Sequence, residues 1–498
     1  MSDEQLKRRA LSGVRWTVTA RVLVQLITWP TTIVVMRLLH PHDYGVVAMS
    51  TIVIGFVALF GEPGLAAGLV QTQDLREDTT RAASGVILLL NLALLAALML
   101  AAPGIATWYR EPQLTLVIRV ASLSLLSTAL TTVPQALLQR NLRFRELALA
   151  LLAGGLVGSL ATVTCAFLDF GVWSLVIGSL VISFVTSVVI IYYQGAVVWP
   201  DFSRGLTPVR HLVHFSAHIL GSRILWYWSF NLDLIILGRL VQPSAVGSYS
   251  VGSSLAAIPG DKVMEALNRV SFPTLSRMRS DPARFNSTAE RLLRLLALFG
   301  FSIAWGIAAV APEFVHVVLS DKWRLAVIPL VMLSIAAPIR MLWAFQNTVN
   351  VAVGFPAANT KVLTVSGVLL PIGILVGARA DGINGAAISL VVVYPIVFLV
   401  STFLTCRATG RAVRDSLRQL VVPFAGGVCM LIAVSGTRAL LSARLPSGAL
   451  LCIEMLIGAA AFLGAVKLIG PAVLADARAL LRDLLRPGAQ AAAGLSNP

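Results

Sequence analysis

The stretch R-L-L-H-P-H-D-Y-G, Arg37 to Gly45, recurs in outline as R-L-V-Q-P-S-A-V-G, Arg239 to Gly247. Both read Arg-Leu-x-x-Pro-x-x-x-Gly, they lie 202 positions apart, and each follows a long apolar run. Without any gap the same offset pairs Arg21 with Arg223, Leu23 with Leu225, Ile33 with Ile235 and Leu38 with Leu240. Six membrane-spanning helices with short connections occupy about 200 residues if each takes roughly 30. The phrase therefore marks a duplicated six-helix unit. Six is even, so both units enter the membrane in the same sense, which predicts a pseudo-symmetry axis along the membrane normal, the parallel-repeat arrangement of some secondary transporters. Within the phrase, Pro41 and Pro243 suit the first turn of a helix, Asp43 complements that helix's dipole, and Arg37 and Arg239 can snorkel from the end of the preceding one. Helix-start chemistry accounts for every residue of the phrase, so it reads as a hairpin corner kept in both halves.

Composition supports an all-α polytopic membrane protein. The chain has 498 residues, of which 57% are hydrophobic and 12% charged, with a mean hydropathy of +0.84. Apolar runs long enough to cross a hydrocarbon core of about 30 Å recur with short polar breaks. Fourteen spans are predicted, at about 14–36, 44–70, 82–102, 113–138, 146–168, 171–193, 212–238, 246–268, 292–319, 325–353, 361–378, 382–405, 419–440 and 448–470. The expected organisation is an N-lobe over 1–200, a C-lobe over 201–410, two extra spans within 411–475, and a disordered cytoplasmic tail over 476–498. No small-residue cleavage site follows the first span, which reads as an anchor.

A net charge of +16 raises the question of nucleic acid, but its placement points elsewhere. Counted over alternate loops, 25 Lys and Arg fall on one side, among them Lys7, Arg8, Arg140, Arg277 and Arg418, and 8 on the other. By the positive-inside rule both termini are cytoplasmic and nucleic acid is not a partner. Cys165, Cys406, Cys429 and Cys452 lie in or beside apolar spans without CxxC spacing, so neither a disulfide framework nor a metal site is expected. There is no G-x-x-x-x-G-K-[ST] or H-E-x-x-H, and loops of at most about 20 residues leave no room for a nucleotide-binding domain. No cofactor is expected.

Polar residues inside the spans are the functional candidates, because a charge at a helix centre costs about 2.5 to 3.5 kcal/mol on insertion scales. Arg21, Gln25, Thr28 and Thr32 form one stripe at helical spacing; Arg223, Tyr227 and Asn231 occupy the matching face of the seventh span. Arg340, Trp343, Asn347 and Asn350, with Gln346 beside them, make a third. Three such stripes would line a wet central cavity. The alternative is that Arg21 and Arg223 snorkel to the interface; Arg340, near mid-span, has less opportunity to do so. F-G-E-P-G, Phe60 to Gly64, and I-P-G-D-K, Ile258 to Lys262, place Gly/Pro interruptions with an acid at corresponding places in both halves, a pointer to broken helices at a transport site. Glu62 is either a titrating ion-coupling group or a fixed partner for Arg21, and Asp233 is the second such acid. The run W-Y-W-S-F, Trp226 to Phe230, is either an interfacial belt or a surface for stacking on sugar. Inward Arg residues favour an anionic cargo such as phosphate.

Three stretches, R-L-L-H-P-H-D-Y-G-V-V-A-M, G-E-P-G-L-A-A-G-L-V-Q and P-Q-A-L-L-Q-R-N-L-R-F-R-E-L-A, resemble bacterial polysaccharide exporters of the multidrug/oligosaccharidyl-lipid/polysaccharide (MOP) flippase superfamily, most of all the Wzx-type and exopolysaccharide branch. The resemblance is strong over about residues 10 to 200 and beyond that rests on topology and the repeat. It implies two six-helix lobes around a cationic cavity and export by alternating access with proton or sodium coupling. The implied cargo is an undecaprenyl-diphosphate-linked oligosaccharide, the repeat unit of an O-antigen, capsule or exopolysaccharide, moved to the periplasmic leaflet of the inner membrane. On that reading Arg21, Arg223 and Arg340 neutralise the diphosphate. Gln25, Asn347 and Asn350 hydrogen-bond the glycan, Trp226, Tyr227 and Trp343 stack on it, and the lipid tail stays among membrane lipids. A polysaccharide polymerase or chain-length regulator is a further implied partner. A multidrug exporter or a lipid II flippase of the same superfamily are the rival transporter readings. A membrane glycan polymerase or glycosyltransferase would need a catalytic outside loop, for which the sequence offers no candidate.

Overall fold

The computed structural model describes residues 3–61, 65–71, 76–195, 198–200, 210–476 and 478, and these residues form helices with no strand among them. In chain order they are α1 (Asp3–Leu38), α2 (Pro41–Gly61), α3 (Leu65–Gln71), α4 (Glu77–Tyr109), α5 (Gln113–Ala121), α6 (Ser124–Arg140), α7 (Phe144–Phe167), α8 (Val172–Gln194), α9 (Arg210–Leu240), α10 (Pro243–Arg277) and α11 (Pro282–Phe314). A π-helical turn (Val315–Leu319) and a 3-10 turn (Asp321–Ala326) lead into α12 (Val327–Val353), α13 (Ala357–Thr409), α14 (Val413–Leu441) and α15 (Ser447–Ile469).

Among the described residues, eleven helical segments are long and apolar enough to cross a membrane, against the fourteen spans expected from hydropathy. Three features account for the difference. The 53-residue α13 leaves helical geometry at Asp381 (φ −150°, ψ 45°) and Gly382 (φ 49°, ψ −129°). Beyond that point the chain doubles back, so that Gly373 lies beside Ser389 and Val393, and Gly377 against the backbone of Gly385. Gly382 supplies the positive φ that such a corner needs. Its two arms match the expected spans at 361–378 and 382–405. The other two features are α9 and α10, 31 and 35 residues long, whose polar content keeps them below the hydropathy of the rest. The expectation of a disordered tail over 476–498 falls outside the described residues apart from positions 476 and 478.

The chain divides into two compact units, residues 1–250 and 251–498. The division falls later than a boundary near 200 because α9 packs on α2 within the first unit. The Tyr227 hydroxyl donates to the Ile52 carbonyl at 2.7 Å, and Gly238 sits against Tyr109 and Met49. In the second unit α11 is the central element, with α12, α14 and α15 packed around it. Its most apolar window is 67% buried, against 17% for that of α1 at the rim of the first unit. Phe301, Trp305 and Phe424 meet edge to face, with centroids 4.9 to 5.7 Å apart, and Trp305 Nε1 donates to the Ile335 carbonyl at 3.0 Å, so the large rings are both packed and satisfied.

Helix starts follow the residues that sequence pointed to. Pro41 and Pro243 open α2 and α10, and the backbone N–H of His40 donates to Asp43 Oδ2 at 2.9 Å, the reach-back half of a capping box. At α11, Asp281 accepts from the Arg284 N–H at 3.1 Å with Pro282 in the first turn.

Candidate functional site

The doubled phrase meets itself. Gly45, one turn into α2, lies against the Pro243 carbonyl and the Gly247 N–H at the start of α10; reciprocally, Gly247 lies against the Pro41 carbonyl and the Gly45 N–H. A methyl group at either glycine would overlap the opposing backbone. The two helix starts thus cross backbone to backbone about a pseudo-two-fold axis. Small residues permit this approach in a bilayer, where association depends on packing and not on expulsion of water. Proline and aspartate are explained by helix initiation, whereas the glycine is explained only by this crossing.

Of the stripe on α1, Arg21 is exposed and Gln25 half-buried, while Thr32 returns its hydroxyl to the Thr28 carbonyl at 2.8 Å. α1 packs on α7, with Val24 against Gly155. On α9, Arg223 is exposed and Asn231 Nδ2 donates to the Tyr227 carbonyl at 3.0 Å. Tyr227 departs from its expected place: besides its bond to Ile52 its ring lies 6.1 Å from Phe56, so packing on α2 occupies the face expected to stack on sugar. The side chain of Trp226 and the whole of Glu62 lie outside the described residues. Trp228 lines an apolar groove of about 690 Å³ between α2, α4 and α9, together with Phe56, Leu98, Trp108 and Ile235. That lining suits hydrocarbon better than sugar hydroxyls.

Asp233 is held by two donors, the Leu234 N–H to Oδ1 and the Tyr249 hydroxyl to Oδ2, both at 2.8 Å. The fully buried Tyr249 comes from α10, sixteen residues on, with no periodic signal linking it to Asp233 in the sequence. Asn91 was likewise missed. It is fully buried in α4, and its Nδ2 donates to the Ile87 carbonyl at 2.8 Å and to the Gly61 carbonyl at 2.9 Å, tying α4 to α2. A lone Asn in an apolar run was the only available hint.

In the second unit Arg340 of α12, a quarter exposed, faces Asp261 of α10 at 3.9 Å. The rest of that stripe turns elsewhere. Trp343 is 2% exposed, with its ring 6.3 Å from Tyr394 of α13. Asn350 is fully buried and donates to Asn359 Oδ1 at 2.8 Å, while Asn359 Nδ2 donates to the Asn347 carbonyl at 3.1 Å. Gln346 Nε2 donates to Thr402 Oγ1 at 2.6 Å. Trp343 and Asn350 are thus packed toward α13 and do not line a wet wall as expected. Helical spacing placed them on one face of α12 but could not say that this face would be covered. The expected break at Ile258 to Lys262 is also absent, since α10 runs unbroken through it. In the first half α2 is described as far as Gly61, and Glu62 to Gly64 lie outside the described residues. Among the described residues no group of three or more His, Cys, Asp or Glu is placed to hold a metal ion.

Comparison with known proteins agrees with this architecture. A family profile described as "Polysaccharide biosynthesis protein" matches residues 34–328. The chain is 22% identical over 428 residues to the lipopolysaccharide biosynthesis protein WzxC of Escherichia coli (strain K12), covering 84% of this chain and 85% of that one. It is 26% identical over 314 residues to the succinoglycan biosynthesis transport protein ExoT of Rhizobium meliloti (strain 1021), 63% of each. Among solved structures, lipid II flippase MurJ in an inward closed conformation superposes with a TM-score of 0.72 at 13% identity, over 96% of this chain and 100% of that one. An inward-facing multidrug resistance MATE family transporter of the MOP superfamily gives 0.57 at 15% identity, over 83% and 96%. At such identities the structures speak for the fold alone. The profile covers more than half of the sequence, and the chain belongs to the polysaccharide biosynthesis protein family.

Proposed function

We propose that this protein is a flippase that carries a polyprenyl-diphosphate-linked oligosaccharide from the cytoplasmic to the periplasmic leaflet of the inner membrane, with both of its termini cytoplasmic. The observation that carries this reading is the family match over residues 34–328, supported by relatives named for polysaccharide biosynthesis and transport. The fold itself is common to a lipid II flippase and a multidrug transporter and does not choose between them. Charge supports the anionic cargo: the guanidinium groups of Arg21, Arg223 and Arg340 suit a doubly negative headgroup, whereas a cationic drug would be met by acids. Alternating access follows from the six-helix repeat, with the Gly45–Gly247 crossing as a contact that closes one end and opens in the other state. Cargo moves the equilibrium only as far as its affinity for the two states differs.

The test is polymer export by a deletion strain carrying the Arg21→Ala/Arg223→Ala double variant. Each charge-assisted contact is worth about 1.5 to 3 kcal/mol, so export should fall at least about tenfold per guanidinium lost, with the protein still inserted. The deletion strain should accumulate lipid-linked glycan on the cytoplasmic face. Normal export by the double variant refutes the role given to Arg21 and Arg223. Accumulation of cationic dyes in place of glycan favours the multidrug reading.

A further inference from the structure

Three charged side chains outside the cargo reading converge in the second unit. Glu313 lies in the last turn of α11, Arg438 in the last turn of α14, and Glu454 near the start of α15. Nε and Nη2 of Arg438 donate to the two oxygens of Glu454, both at 3.2 Å; Nη2 also donates to Glu313 Oε2 and to the Ala309 carbonyl. Glu454 has no exposed surface and Glu313 is 9% exposed. An oxygen of each carboxyl group thus meets the same Arg438 Nη2, which brings the two side by side. Beside them, between α11, α14 and α15, is a cavity of about 330 Å³ whose wall is apolar apart from Ser302 and Glu454, the latter its one ionisable group among the described residues.

The charges do not balance. One guanidinium neutralises one carboxylate, and the second carboxylate would stand surplus although both are buried and only Arg438, 29% exposed, reaches the surface. Two carboxylates in contact repel; a carboxylic acid and a carboxylate in contact share a hydrogen bond. We propose that Glu313, Glu454 and Arg438 form a proton-binding site in which the two carboxyl groups hold one proton between them beside the fixed charge of Arg438. Loaded, the cluster is neutral and ties α15 and α14 to α11. When the cavity widens and water enters, the proton passes to that water, the cluster becomes singly negative, and the two carboxylates repel.

Of the other charged groups on the surrounding elements, Arg444 lies in the connection between α14 and α15, and Lys322 and Arg324 lie in the 3-10 turn. His316 of the π-helical turn pairs with Asp321, and Arg340 of α12 faces Asp261. Glu290 with Arg411, and Arg291 and Arg294 with Asp476, belong to the opposite end of α11, as Lys467 does to the opposite end of α15. The site is separate from the cargo reading and does not depend on it.

Infrared difference spectroscopy of the purified full-length protein in lipid nanodiscs, titrated from about pH 5 to about pH 9, reads the proton directly through the carbonyl stretch of a protonated carboxyl group. The wild type should show a band of one carboxyl that persists above the range in which exposed carboxylates ionise. Glu454→Gln and Glu313→Gln should each abolish it, because either leaves a single carboxylate balanced by Arg438. Both substitutions are neutral and nearly isosteric, and if one variant does not accumulate the other still decides. Absence of the band from the wild type, its survival in both variants, or its loss from only one of them overturns the shared site.

Discussion

Replacing Gly247 by alanine tests the twin crossing directly. A β-carbon there would lie 2.7 Å from the Gly45 nitrogen and 2.8 Å from the Pro41 carbonyl carbon, besides overlapping the Pro41 oxygen. Carbon atoms pack best at about 3.5 to 4.0 Å, and the overlap with the Pro41 oxygen is tighter still, so the helix starts must separate by at least about 1 Å. The obstacle is backbone, and no rotamer change relieves it. Overpacking of this kind costs about 1 to 3 kcal/mol, which shifts an equilibrium between crossed and separated states by about 5- to 150-fold. Val46, fully buried beside the crossing, is the natural reporter. In a background lacking Cys165, Cys406, Cys429 and Cys452, a Val46→Cys probe should react with a membrane-impermeant maleimide faster by that factor once Gly247→Ala is introduced. Gly45→Ala should behave alike, and the two together should cost less than their sum, since both break one contact. Gly104→Ala in α4, where a β-carbon meets nothing within 4 Å, is the control and should leave labelling unchanged. Unaltered labelling and an unaltered melting temperature in both crossing variants would refute the reasoning.

Two further outcomes are expected from the first unit. Tyr227→Phe removes the hydroxyl bonded to the Ile52 carbonyl while keeping the ring on Phe56, and should lower stability by about 0.5 to 1.5 kcal/mol, visible as a lower melting temperature in detergent. Asn91→Ala leaves the Gly61 carbonyl without its side-chain donor and should cost about 1 to 3 kcal/mol; hydrogen exchange in α2 should rise with it, and protection equal to the wild type would count against the role of this bond.

Sequence disclosed the helices and their starts because the signals there are local: apolar length, a proline in the first turn, Asp43 three residues beyond the cap. It was silent on which face each helix turns to its neighbours. In a soluble protein the apolar face is the buried one. In a bilayer Leu100, 82% exposed, and Ile87, fully buried, share one apolar helix, and no hydrophobic contrast separates them. Hence Trp343 and Asn350 could be assigned to a stripe but not to a covered or an open face. Pro259 and Gly260 could mark a weak point in α10 but not a break. The Glu313, Arg438 and Glu454 cluster was hidden for another reason: its members come from three helices more than a hundred residues apart at the extremes, and each alone resembles an ordinary interfacial charge.

The corner at Asp381 and Gly382 has a bearing on how this protein can be handled. Its two arms turn on only two non-helical residues and touch again at Gly377 and Gly385, one turn away. Such a stretch can enter the bilayer as a ready-paired unit, neither arm waiting for a later partner. It also leaves no slack for an inserted reporter or epitope, so membrane-sidedness mapping by tag insertion should succeed at the Ser442–Pro446 connection and fail at this corner, where a few added residues would pry the pair apart.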